Sequence, residues 1–316
     1  MKIVLLGPQR RPTVDTVVRS LDLDGPIATI TAGWQEREPD DEELDDLLDG
    51  HAINLSLYAR WLDVLERDAD YAAADRRLRE VLDDVQEVYL LRLDHALEAA
   101  HAVARRSSNG PLTDAALAES VEAIRELDER HLERVGDVHA EFYATWPPHE
   151  RPVIAEHRAA VAVTLEDATA LVVTGGHVGI LVATMHLFNV AAALDVPVIA
   201  WSAGAMALTE RIVLFHDRAP QGPGHPELYH HGLSLLRGVV PLPHARARLL
   251  LDDPVRMSVF ARRFAPARCM PLEAGSRIDT DTDTAGEPPV GTRVLAADGT
   301  VAVVAAAPAA DPVGAT

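Results

Sequence analysis

Apolar and polar positions along the chain change period twice, and those changes divide it. Two short apolar runs, Lys2 to Leu6 and Pro26 to Thr31, flank a segment of helical period from Thr13 to Leu21. That strand, helix, strand order is how a parallel α/β sheet opens. From Pro39 to about Trp146 the pattern is different: no strand-like run, few glycines, and apolar residues at spacings of three and four among charged ones. Leu44 to Leu65 predicts one helix, Leu78 to Leu97 a second and Leu117 to Phe142 a third. Ser107-Ser108-Asn109-Gly110-Pro111 breaks the array and Trp146-Pro147-Pro148 ends it.

Beyond Pro152 the short apolar runs return. A helix is expected from Ile154 to Thr169, then a buried strand Ala170 to Thr174 that runs into Gly175-Gly176-His177. A helix from His186 to Leu194 precedes the strand Val196 to Trp201. Further strands are expected at Ile212 to Phe215, Val239 to Leu242 and Arg268 to Leu272, with a hairpin of Thr292 to Ala296 and Val301 to Ala305 turned by Asp298-Gly299. The fold class is therefore α/β, a parallel-sheet core with a long all-helical insertion. Residues 1–38 and 148–306 form the core, 39–147 the insertion and 307–316 a flexible tail. Such long helices suit a bundle packed on the core or on a second copy of the chain, or an arm for another partner.

Composition narrows the function classes. A net charge of -20 argues against nucleic acid or an anionic membrane as a partner, because a phosphate-binding surface needs clustered Lys and Arg. Cys269 is the single cysteine, so no internal disulfide or multi-cysteine zinc site can form, and its setting is that of a small buried strand residue. The apolar run at the N-terminus is too short for a signal peptide and no run is long enough to span a bilayer, so the expected location is cytoplasmic. His216, His225, His230 and His231 cluster around a loop rich in Pro and Gly, but their spacing matches no zinc signature. No metal and no cofactor is expected, and the loop is read as a cover over the active site.

The candidate chemistry sits at Val196-Pro-Val-Ile-Ala-Trp-Ser-Ala-Gly-Ala-Met-Ala207. A buried strand ending in small-x-Ser-x-small is the sequence form of a nucleophile elbow, in which Ala200 and Gly204 let the backbone bend and expose the Ser202 hydroxyl. A serine needs a base to take its proton and a third group to orient that base. Asp217 and His244 each follow an apolar run, where catalytic groups of α/β proteins collect. Glu210 is an alternative acid.

The ordered set Gly175-Gly176-His177, Ala200-Trp201-Ser202-Ala203-Gly204-Ala205, Asp217, and Gly232-Leu233-Ser234-Leu235-Leu236 leading to Pro243-His244 resembles the dipeptidase E and cyanophycinase family of serine peptidases. The likeness covers roughly residues 1–35 and 150–306. It implies a class I glutamine amidotransferase-like fold, Ser202 as nucleophile, His244 as general base, Asp217 as its acid, and backbone N–H groups of Gly176 and Ala203 as oxyanion hole. His177 and Arg246 would contact a small peptide, one containing Asp among the candidates. The chain departs from the family pattern at Ala200, where Gly is usual, at His177, where Asn or Asp often stands, and in the shortened His244-Ala245-Arg246-Ala247-Arg248. The insertion would replace the third strand-helix unit. A catalytically silent domain with an assembly or regulatory arm is the rival reading, and an unrelated α/β-hydrolase esterase a third.

Overall fold

The computed structural model describes residues 1–10, 12–106, 110–216, 224–282 and 287–306. The core opens with β1 (Lys2–Leu6), α1 (Val14–Ser20) and β2 (Ile27–Ile30). The insertion carries α2 (Glu42–Leu47), β3 (Ala52–Asn54), α3 (Leu57–Arg67), α4 (Ala69–Ala104) and α5 (Pro111–Thr145). The chain returns through α6 (Pro152–Asp167), β4 (Ala170–Val173), α7 (Val178–Leu187), β5 (Val198–Trp201) and α8 (Ala203–Ala207). It continues with β6 (Ile212–Leu214), β7 (Glu227–His230), β8 (Val239–Pro243), α9 (Ala245–Arg248) and α10 (Pro254–Phe264). Last come β9 (Arg268–Leu272), β10 (Arg277–Asp281), β11 (Arg293–Leu295) and β12 (Val301–Val303).

Six strands form the central sheet in the order β10-β1-β5-β4-β2-β3, parallel except for β10, which runs antiparallel to β1 at one edge. β2, β4 and β5 are buried along their whole length, as expected of parallel strands covered on both faces. Alternation sorts their side chains: Val4, Leu6, Val172 and Ile199 pack under α1 and α2. Ile3, Leu5, Leu171, Val173, Val198 and Ala200 join the larger core on the opposite face. The fold is thus the expected α/β core with a helical insertion. Cys269 is buried on β9, and burial pushes its thiol up to about 12.

Three elements differ from the sequence expectation. The insertion contains a strand: β3 pairs in parallel with β2, with Ile27 opposite Ala52. At three residues β3 is too short to show a period, so the leucines on either side of it read as one continuous helix. The sheet therefore keeps a third strand where the insertion was expected to replace that unit. The helix expected from His186 to Leu194 is replaced by α7, which ends at Leu187, followed only by a short 3-10 turn at Val190–Ala193; α7 starts at Val178, where His177 caps it by accepting from the Ile180 N–H through Nδ1 at 3.2 Å. Finally, β6 lies outside the central sheet and pairs antiparallel with β7.

α4 and α5 run 36 and 35 residues and pack on each other as a hairpin, an arm of about 50 Å. Its base is closed where Asp68, the cap of α4, accepts from the Tyr71 N–H and pairs with Arg151 before α6. Further along, Arg263 of α10 reaches between both helices. Its side chain is 1% exposed and its guanidinium meets the Asp128 carboxylate of α5 through two bonds of 2.6 and 2.7 Å. The Tyr89 hydroxyl of α4 donates to Asp128 and accepts from both Arg263 and the Leu228 N–H of β7. Asp128→Ala leaves a buried cation without its partner, so a loss of about 3–5 kcal/mol is expected in urea unfolding. The double variant Asp128→Leu with Arg263→Met should recover most of it.

Candidate functional site

The loops that leave the C-terminal ends of five strands converge on one cleft of about 490 Å³. Pro8, Gln9 and Arg10 follow β1, Gly33 and Trp34 follow β2, Gly176 follows β4, Ser202 follows β5 and His244 follows β8. Open parallel sheets place their ligands at this end.

Ser202 has φ 51° and ψ -122° between the last residue of β5 and the first of α8. A non-glycine residue pays a conformational cost in that region and persists there only when its surroundings hold it. Its surroundings are tight. A Cβ on Gly204 would lie 2.4 Å from the Val173 carbonyl oxygen, so only glycine lets α8 start this close to the end of β4. A Cβ on Gly175 would lie 3.0 Å from that of Ser202. The serine makes no cap bond to α8, which separates it from an ordinary helix-capping serine.

Gly176, at φ +112°, packs against the loop after β2. A Cβ there would meet the Gly33 carbonyl oxygen at 2.2 Å, and the same oxygen accepts from the His177 N–H at 2.7 Å. Gly176 therefore enters the cleft wall beside Ser202, whereas the ring of His177 lines a different cavity. Ala203, buried at the start of α8, follows the serine directly.

His244 sits at φ 57° immediately after β8, and its N–H donates to the Leu272 carbonyl at the matching end of β9. Burial, then the Arg248 and Arg10 cations, holds its imidazole below the ordinary value, with the Glu273 carboxylate opposing them. The imidazole is thus neutral at pH 7, the form able to accept a proton. Ser202 and His244 line the same cleft.

Glu273 is a residue the sequence reading passed over. It follows β9, the parallel neighbour of β8, so it emerges next to His244, and Oε1 accepts from the Arg246 N–H at 2.7 Å. Its signal was the one applied to Asp217 and His244, a polar residue just past an apolar run. Asp217 lies outside the described residues. Glu210 binds the Gly238 N–H at the opposite end of β8 from His244. A five-residue strand spans about 16 Å, so Glu210 is too far away to orient the imidazole. Arg246 is exposed on α9. His230 and His231, read as part of a loop over the site, line the same cavity as His177.

No helix among the described residues is long and apolar enough to cross a membrane. No family model matches the chain, and no curated protein matches it. Among solved structures, one described as a peptidase from an acI-B1 Actinobacterium is similar over 96% of this chain and 94% of its own, with 11% identity and a TM-score of 0.40. A likeness at that level decides neither fold nor activity.

The His244 environment has a measurable consequence. Its imidazole is expected to titrate below 6.5 in an NMR pH series, and Arg248→Met or Arg10→Met should move the midpoint upward by removing a repelling cation.

Proposed function

We propose that the protein is a serine hydrolase that cleaves small peptides through an acyl-enzyme. The observation that carries this reading is Ser202: a serine held in a strained elbow, without a helix-cap bond, on the wall of the cleft that also contains a neutral histidine. Ser202 Oγ attacks the scissile carbonyl while His244 accepts its proton. The imidazolium then returns the proton to the leaving amine, and water hydrolyses the ester by the same route in reverse. Backbone N–H groups of Gly176 and Ala203 hold the oxyanion. Arg10 on the cleft wall suits a carboxylate of a short peptide, whereas Arg37 is paired with Asp40 of the same wall at 3.1 Å.

Glu273 is the carboxylate best supported as the orienting acid, since its charge favours the protonated imidazole that forms during attack. Asp217 is the alternative, and the two are separable. Glu273→Gln should lower kcat/KM by about 10²–10⁴-fold with little change in folding if Glu273 orients His244. Asp217→Asn should do so instead if Asp217 is the acid.

A fluorophosphonate probe is expected to label the native protein at Ser202, and Ser202→Ala should abolish the label. Absence of labelling on folded protein would refute the hydrolase reading. The acid limb of kcat/KM should have its midpoint below 6.5. Activity depends on neutral His244, whose folded value is depressed, so the rate rises with pH through that midpoint and the neutral form predominates at pH 7.

A further inference from the structure

A second cavity, of about 420 Å³, shares no lining residue with the Ser202 cleft. It lies between α7, β7 and the arm helices α4 and α5, on the sheet face opposite α1 and α2. Its volume is that of a small-molecule site. Its walls concentrate residue types that are scarce elsewhere: three of the five tyrosines, Tyr71, Tyr143 and Tyr229, and five of the 14 histidines. Phe142 and Trp61 add apolar ring surface.

The imidazoles form a directed hydrogen-bond chain. His230 Nδ1 lies 2.7 Å from the His231 carbonyl oxygen and must donate to it, so His230 Nε2 accepts. His139 Nε2, 2.7 Å away, donates to that nitrogen, which leaves His139 Nδ1 as an acceptor. Burial pushes His139 down to about 4 and His230 to about 3, and lowers His186 as well, so these rings are uncharged at neutral pH. Asp75 is paired with Arg79 one turn along α4 at 2.9 Å, and Asp83 is exposed. Among the described residues no three His, Cys, Asp or Glu side chains are placed to hold a metal. The wall therefore offers aromatic faces and neutral hydrogen-bonding groups.

One residue indicates that the space is kept open. Gly136 lies inside α5 and faces the cavity. A glycine in a helix interior costs stability relative to alanine. Its backbone is helical, and a Cβ there would find only His231 Nε2, at 3.9 Å. Neither conformation nor crowding calls for glycine, so what its missing side chain provides is room.

We propose that this cavity is a second ligand site, separate from the Ser202 cleft, that takes an uncharged planar aromatic or heteroaromatic molecule. Such a ligand stacks on the tyrosine and phenylalanine rings and exchanges hydrogen bonds with neutral imidazole. Among the described lining residues the charged groups are Asp75, paired with Arg79, and the exposed Asp83, so an anion finds no unpaired cation and a cation no unpaired buried carboxylate.

The test titrates full-length protein at pH 7.5 with indole and quinoline, beside cyclohexanol as aliphatic control and 1-naphthoate as anionic control, by saturation-transfer NMR. Saturable binding of indole or quinoline is expected, with intermolecular NOEs to the Phe142 and Tyr143 ring protons. Gly136→Leu and Ala183→Trp, which fill the cavity from two different helices, should each weaken binding at least tenfold. Ser202→Ala should leave it unchanged, which makes the outcome independent of the hydrolase reading. Gly136→Ala should raise the melting temperature. The proposal is overturned by no saturable binding, by NOEs to residues elsewhere, by a control binding as tightly, or by a folded filling variant that binds like wild type. If both filling variants fail to fold, the NOEs in the wild-type protein decide.

Discussion

The arm depends on one buried charge pair. Arg263 and Asp128 are both nearly inaccessible, and their attraction is joined to Tyr89 and the Leu228 N–H so that every group involved has a partner. Arg263 also donates to the Pro226 carbonyl at 2.6 Å. A contact made only of leucines would hold α4 and α5 on the core as strongly but would tolerate sliding by a helical turn, because apolar attraction has little direction. The bidentate pair permits one register. That register sets where Tyr71, His139, Phe142 and Tyr143 fall, and so fixes the shape of the space between arm and core.

At the cleft the controlling constraint is distance between backbones. Glycines at 33, 175, 176 and 204 bring the turns after β2, β4 and β5 closer than side chains would allow, and Ser202 is held in its unusual conformation by that crowding. A half-buried serine on a rigid turn has its position fixed before any ligand arrives. His244 comes from a separate parallel pair, β8 and β9, so Ser202 and His244 approach the cleft from two sheets packed on a common core.

Much of this was legible in the sequence where a pattern repeated. Runs dominated by apolar residues marked β2, β4 and β5 because strands buried on both faces have few polar positions, Thr29 of β2 being the exception, and the small residues around Ser202 marked the elbow. β3 was hidden by its length: Ala52, Ile53 and Asn54 form an edge only half covered, fixed by polar contacts of the Asn54 amide with Thr31 and Asp41. The start of α7 was hidden because its cap is a histidine in place of the usual Ser, Thr, Asp or Asn. Glu273 carried the same local signal as Asp217 and His244, but not its partner. Its meaning comes from strand order, since only the pairing of β8 with β9 brings position 273 beside position 244, and pairing between distant strands leaves no local trace.

The place where the insertion interrupts the sheet bears on how the chain reaches this structure. β2 and β4 are neighbours, yet the segments that close their ends, Pro26 and Thr169, are 143 positions apart. Contacts across such a span form slowly, because the chain between them must first give up its freedom. The helical hairpin shortens that search. α4 and α5 are built from local contacts and meet across a short connection, so they can form early and replace a long floppy loop with a rigid one whose two ends already lie together at Asp68 and Arg151. In kinetic terms the arm acts as a splint, since its two ends hold close together the halves of the sheet that it separates in sequence.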